Sequence, residues 1–423
     1  MGTINLGTPD NSILTRRVYF GLDIGNKYTV ISYYADQMQE PETISTHLGS
    51  QNYQIPTFLA KKKGLSQWFI GDDAKTRVLK GEATPVDDIF DRALNKESTV
   101  IEGETYQFRD LLVIFFKKIF SMPGQFYVNA PLERVTIVVE STNLELMELL
   151  SYVTRGIGVE QHRVSIIDKR EAFYYYALNQ APMLYQYNVA LFDYGTNQMV
   201  SHVLKRNMNT SRPQQVTIES QNWGELSGNK DTVFEDIVRS AFGKEVVSSV
   251  YFVGDGFDGE WMKTSLAFAC KGRKAFMGKN LYSKGACYAG YIRAAKKEWE
   301  FFYLGDNELK LNLALRVLED NELRFFSLID AGQSWYEAKG ECEVIIDGEN
   351  EIEFWVQRPD SREANSEVLE LTDMPDRENR TTRVRITAIA KSDKAITITI
   401  KDLGFGELFP SSGKVWEHTI TVE

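Results

Sequence analysis

Residues 19–32 read Tyr-Phe-Gly-Leu-Asp-Ile-Gly-Asn-Lys-Tyr-Thr-Val-Ile-Ser, and the fold is read outward from them. An apolar run (Tyr19, Phe20, Leu22, Ile24) meets a Gly-Asn turn and returns as a second β-branched and aromatic run (Tyr28 to Ile31), the pattern of a β-hairpin. Asp23 lies in the first strand, and Gly25 lets backbone amides approach a ligand. Such a hairpin can cradle a phosphate and hold a metal through its acid. It can equally be an ordinary hairpin with a structural Asp, so the partners must come from elsewhere in the chain.

They come at two further points. Asn188 to Phe192 is apolar and runs into Asp193-Tyr194-Gly195-Thr196, followed by a β-rich return over Met199 to Leu204. Strand, Asp, one residue, Gly, turn and strand repeat the opening, which predicts an internal duplication. Val250 to Val253 then enters the glycine-rich turn Gly254-Asp255-Gly256. Between these points Val135 to Val139 reads as a strand buried on both faces. Leu111–Phe120, the stretch opening at Thr142-Asn143-Leu144-Glu145, Arg170–Gln180, Thr232–Phe242 and 281–298 read as helices. From about Glu300 the period changes to two: Cys342, Val344, Ile346; Ile352, Phe354, Val356; Val384 to Ala390 against Ile396 to Ile400; and a last strand through Trp416 and Ile420. The expected organisation is an arm over 1–17, a duplicated α/β domain over 18–298, a linker over 299–306 and an antiparallel β-sandwich over 307–423.

Composition narrows the class. In 423 residues the hydrophobic fraction is 43%, with 20 Tyr and 24 Phe, enough for real cores in two or three domains. A net charge of −11 with no long basic stripe argues against nucleic acid. Cys270, Cys287 and Cys342 show no CxxC spacing and the four histidines are scattered, so neither a zinc site nor a disulfide framework is expected. No signal peptide or membrane-length run is read, which predicts a cytoplasmic protein.

The three glycine turns resemble the two phosphate motifs and the adenosine motif of the actin and heat-shock ATPase superfamily. DnaK-type heat-shock chaperones are the nearer likeness: Ile55-Pro56-Thr57, Phe69-Ile70-Gly71-Asp72-Asp73-Ala74, Ile167-Asp168 to Tyr176 and Ala395 to Asp402 are similar to segments of that family in the same order. The resemblance implies an actin-like, ribonuclease H-like ATPase domain followed by a peptide-binding β domain that grips a protein or peptide client. It also implies ATP or ADP with magnesium, contacted by Asp23, Gly25, Asn26, Lys27, Asp193, Gly195, Thr196, Gly254, Asp255 and Gly256, the metal being held through water by Asp23 and Asp193.

Departures from the family pattern point the other way. Asn26 and Lys27 stand where the family has threonines, and Lys27 is expected either to neutralise a phosphate or to pair with Asp23 or Asp193. Tyr194 and a single glycine replace a glycine run. The catalytic lysine has no clear counterpart, Arg92 being the nearest base, and the helical glutamate is replaced in the Asp168-Lys169-Arg170 region, with Glu171 close by. The interval from Asp193 to Gly254 is too short for the lobe that walls the adenine, and no helical lid follows the last strand. The expected function is a chaperone-like scaffold or adaptor without ATP hydrolysis. The alternative is a slow ATPase whose nucleotide state gates the β domain; a sugar kinase on the same frame is disfavoured by that domain.

Overall fold

The computed structural model describes residues 17–45, 52–122, 132–195, 198–207, 214–294, 299–305, 307–319, 322–359 and 363–422. Nearly all of the expected N-terminal arm, Thr196 of the second turn and residue 306 of the expected linker lie outside these. The chain is mixed α/β and divides into two units, Met1–Phe301 and Phe302–Glu423. The division falls within the stretch read as a linker.

Besides a three-stranded and a two-stranded sheet between residues 59 and 107 in its first half, the first unit is built on two large sheets. In one, β1 (Val18–Ile24), β2 (Tyr28–Ala35), β3 (Glu42–Thr43), β4 (Leu132–Val139) and β5 (Val164–Asp168) lie in the order β3-β2-β1-β4-β5. The hairpin pairs are antiparallel, and β4 and β5 run parallel to β1. In the other, β6 (Asn188–Tyr194), β7 (Met199–Arg206), β8 (Gln214–Gly224), β9 (Val247–Val253) and β10 (Lys274–Gly278) lie in the order β8-β7-β6-β9-β10 with the same directions. The two halves therefore share one topology, and Asp23 and Asp193 occupy the same place in it. The central strands are apolar on both faces because helices cover both sides of a parallel pair.

Helices follow the strands at matching points: α1 (Phe108–Ser121), α2 (Leu144–Gly156) and α3 (Lys169–Leu178) in the first half, α4 (Lys230–Phe242), Thr264–Cys270 and α5 (Leu281–Ala294) in the second. Asn143 caps α2 by accepting from the Leu146 N–H at 2.8 Å, and Asn229 caps α4. Each cap is an asparagine, next to Thr142 for α2 and three residues before Thr232 for α4, because its carboxamide oxygen reaches the N2 or N3 amide. Helices α3 and α5 meet so closely that a Cβ on Gly285 would overlap the backbone of Ala172.

Phe301–Tyr303 forms β11. The Tyr174 hydroxyl donates to the Phe301 carbonyl at 3.1 Å, and the Phe301 ring packs edge-on to Trp299 and Tyr185.

The second unit holds two four-stranded antiparallel sheets. One orders β12 (Asn312–Glu319), β13 (Glu322–Ile329), β15 (Glu351–Gln357) and β16 (Ala364–Glu370) as β13-β12-β15-β16. The other orders β14 (Lys339–Ile345), β17 (Arg383–Ser392), β18 (Ala395–Asp402) and β19 (Val415–Thr421) consecutively. Leu313, Leu315, Phe354, Val384, Ile386, Ile398 and Ile400 from both sheets share one core. At its rim Asp402 accepts two bonds from Arg377 (2.9 and 2.8 Å), two from Ser412 and one from the Gly404 amide. Burial alone would raise that carboxyl, but these bonds hold it well below the usual range. No helix among the described residues is long and apolar enough to cross a membrane.

Candidate functional site

Asp23 and Asp193 end the first strand of each half, and between them lies Lys169, the first residue of α3. Asp168 caps that helix by accepting from the Glu171 N–H at 2.8 Å, which places Lys169 at the helix start. Its ammonium lies 3.3 Å from Asp193 Oδ2 and 2.5 Å from Glu140 Oε2. The Tyr282 hydroxyl of α5 donates to Asp193 Oδ2 at 2.8 Å. Asp193 thus carries a cation and a phenol.

Asp23 accepts no side-chain hydrogen bond among the described residues. Burial pushes its carboxyl up to about 6; Asp193 and Glu140 push the same way and Lys169 opposes them. Burial would lower the Lys169 ammonium, yet Asp193, Glu140 and Asp23 together hold it above its ordinary value. The Tyr282 phenol is raised well above its usual range, by burial first and by Asp193 second. His202 of β7 is pushed down to about 4 by burial, and its Nδ1 lies 2.7 Å from Ser220 Oγ. The imidazole is neutral at pH 7 and adds no charge here.

Lys27 does something other than expected. It pairs with Asp255 at 3.3 Å, not with Asp23 or Asp193. A two-residue turn carries its side chain away from the strand that holds Asp23. Asp255 also meets Lys279 at 2.9 Å and accepts from Gln54 Nε2 at 2.8 Å. Burial works against ionisation of Asp255, but Lys279 and Gln54, with Lys27, hold it below the usual carboxylate range.

Gly25, Asn26, Gly254 and Gly256 are bonded or packed within the protein. The Gly25 amide donates to the Tyr28 carbonyl at 3.1 Å, and the Gly25 carbonyl accepts from the Thr57 hydroxyl at 2.7 Å. Asn26 Oδ1 accepts from the Asp91 N–H at 3.1 Å. Gly254 has φ +108°, and a Cβ there would overlap the Tyr194 carbonyl; one on Gly256 would overlap the Tyr194 ring. Tyr194 is buried against Phe257 and Trp261. Packing alone therefore requires both glycines. Gly195 follows Tyr194 at the strand end.

Arg92 is not at this site: it pairs with Glu97 at 2.8 Å and lies over the Phe108 ring. Glu171 is buried in an ion pair with Arg293. Tyr174, Tyr175 and Tyr176 are spread over core contacts with Trp299 and Tyr251. A cavity of about 390 Å³ is lined by Ile55, Ile70, Gly71, Asp72, Asp73, Thr76 and Met122, none of them among the expected nucleotide or metal contacts. No cluster of three or more His, Cys, Asp or Glu side chains suited to a metal occurs among the described residues. Sequence reasoning flagged the Lys169 region as altered but gave its pairing role to Lys27. The signal was Asp168, whose capping geometry fixes the next residue at the helix start.

Comparison with curated proteins finds no match. Residues 308–422 match the model described as Domain of unknown function (DUF8552). Residues 40–306 match the Family of unknown function (DUF5716) C-terminal. That match covers more than half of the chain, which therefore belongs to the DUF5716 C-terminal family.

Proposed function

We propose that the chain is a divergent heat-shock-chaperone-like protein, a scaffold or adaptor that binds protein on a frame of the actin-like ATPase kind whose nucleotide site is degenerate. The ion pair between Lys169 and Asp193 carries this reading. In a working site of that kind Asp193 faces a hydrated metal; here a tethered ammonium holds it. The residues present do not fit a magnesium-bound triphosphate. The Gly25 amide is used by Tyr28, Tyr194 packs against the turn at 254–256, and Asp255 places a carboxylate among the cations at the rim. Phosphoryl transfer depends on positioning metal, phosphate and water, and those groups are committed elsewhere.

The second unit supports the binding part of the reading. Residues 302–423 hold 25 of the 59 acids and 14 of the 48 bases, so the whole net charge of −11 resides there. On the side of β12, β13 and β16 opposite the core, Leu318, Leu323, Phe325 and Val368 are exposed. An apolar sheet face of this kind suits contact with another polypeptide.

The slow ATPase is favoured by one observation, the matched positions of Asp23 and Asp193 around a polar cluster. Calorimetric titration of the full chain with magnesium and ATP separates the two. A flat titration is expected. Binding tighter than about 10 µM, near −7 kcal/mol, that is lost in Asp193→Asn would overturn the scaffold reading.

A further inference from the structure

Among the described residues the strand β10, Lys274–Gly278, stands at the end of the second sheet, paired with β9 on one side and with no strand on the other. The duplication supplies its control. In the first half β5 takes the same position, parallel to β4, and all five of its residues are buried. Every residue of β10 is exposed or half-exposed, including Phe276 (41% exposed) and Met277 (56%). Phe276 lies flat on Tyr251, with ring centroids 5.2 Å apart and planes 17° from parallel. Met277, one residue on, faces the other side of the sheet.

Edge strands are ordinarily protected by shortness or by charge. The strand is short and Lys274 is charged, but two large apolar side chains turned to solvent work against protection. The charge beside them has one sign. Lys271, Arg273 and Lys274 fall within four positions with no acid between them. Arg273 is engaged, its guanidinium over the Phe242 ring and one nitrogen donating to the Phe268 carbonyl. Lys271 and Lys274 are exposed and form no ion pair among the described residues. A cationic strand would be repelled here; an acidic one is attracted.

We propose that β10 is a strand-addition site for an extended acidic segment of a partner protein. The segment pairs its backbone with the open edge, covers Met277 with the alternate apolar side chains of one face, and sets the carboxylates of its other face toward Lys274, on the side of Phe276. Main-chain hydrogen bonds supply affinity and the alternate side chains supply selectivity.

The test uses the full chain and a fluorescein-labelled alternating Glu-Val octapeptide, followed by anisotropy. Saturable binding is expected, with the amides of 274–278 gaining protection from hydrogen exchange. The double variant Lys274→Glu, Met277→Ser, both at exposed positions and checked for an unchanged melting curve, is expected to bind about tenfold more weakly or not at all. An alternating Lys-Val octapeptide, and a Glu-Val peptide with prolines at alternate valines, are expected to fail, the second because it lacks the strand donors. Absence of binding, equal binding by the double variant, or protection elsewhere than 274–278 overturns the proposal. So does a dimer in sedimentation that the same substitutions dissociate, since a second copy would then cover the edge. Addition of magnesium and ATP leaves peptide binding unchanged, so this test and the nucleotide titration fail independently.

Discussion

The two halves of the first unit have the same strand order and the same strand directions, and at matched positions they carry different chemistry. Gly21 of β1 corresponds to Leu191 of β6, Asp23 to Asp193, and buried β5 to exposed β10. Asp193 holds an ammonium and a phenol, whereas Asp23 is raised to about 6 without a hydrogen-bonding side chain. Backbone pairing and apolar burial suffice to keep the frame, because they constrain where side chains point and not which polar groups they carry. The polar groups at matched positions therefore differ between the halves while the frame is the same.

Exchanging matched residues breaks the correspondence most strongly at Gly21. Helix α5 presses its backbone onto this glycine: an added Cβ would overlap the Ser283 carbonyl and approach the Cys287 amide. Leu191, its counterpart, is fully buried where no helix comes as close. Gly21→Leu is expected to lose about 4 kcal/mol or to leave the chain unfolded, since the clash is with backbone that cannot turn away. Urea denaturation followed by far-ultraviolet circular dichroism reads this. A loss below about 1 kcal/mol would mean that α5 is free to shift and that the halves tolerate the same residue at this point.

A smaller loss is expected at Asp193. Asp193→Asn keeps an acceptor for Tyr282 but removes the charge facing Lys169, which is left with Glu140 and Asp23. Breaking a fully buried pair costs about 3–5 kcal/mol, and the partial exposure of this ammonium brings the expected loss to about 2 kcal/mol at pH 7.5. Stability equal to that of the parent would mean that Lys169 is held by Glu140 alone, and that Asp193 is as idle as Asp23.

Much of this was readable before the fold was seen. The apolar runs at Tyr19–Ile24, Val135–Val139, Asn188–Phe192 and Val250–Val253 became central strands, because continuous apolar sequence suits a strand buried on both faces. The repeated Asp-x-Gly marked the two matched strand ends. Less legible was which lysine meets which acid. Lys27 is four residues from Asp23 in sequence, yet its turn sends it to Asp255, 228 residues away; Lys169 reaches Asp193 only because a cap and a helix start place it there. Such pairings depend on long-range packing that local pattern does not encode. The open edge at β10 was not readable at all: Lys-Ala-Phe-Met-Gly has no alternation to distinguish it from a turn, and its exposure is visible only beside buried β5.

The smallest expected effect has the opposite sign and tests the asymmetry most directly. The Asp23 carboxyl sits at about 6 in the folded chain, above the ordinary 3.8. Well below pH 3.8 it is protonated folded or unfolded, and nothing is lost. As the pH rises from 4 to 6 the unfolded chain releases this proton while the folded chain keeps it, so stability falls. Above pH 6 the penalty is complete and constant. A shift of this size corresponds to about 3 kcal/mol for a fully buried group, and partial exposure of the aspartate reduces it to about 1 kcal/mol. Asp23→Asn abolishes the ionisation, so it is expected to stabilise the protein by about 1 kcal/mol at pH 7.5 and to approach the parent about one pH unit below 3.8. Paired urea titrations at the two pH values measure the difference. If Asp23→Asn is destabilising at pH 7.5, as Asp193→Asn is expected to be, then both carboxylates hold Lys169 equally and the chemical difference between the halves does not exist at this position.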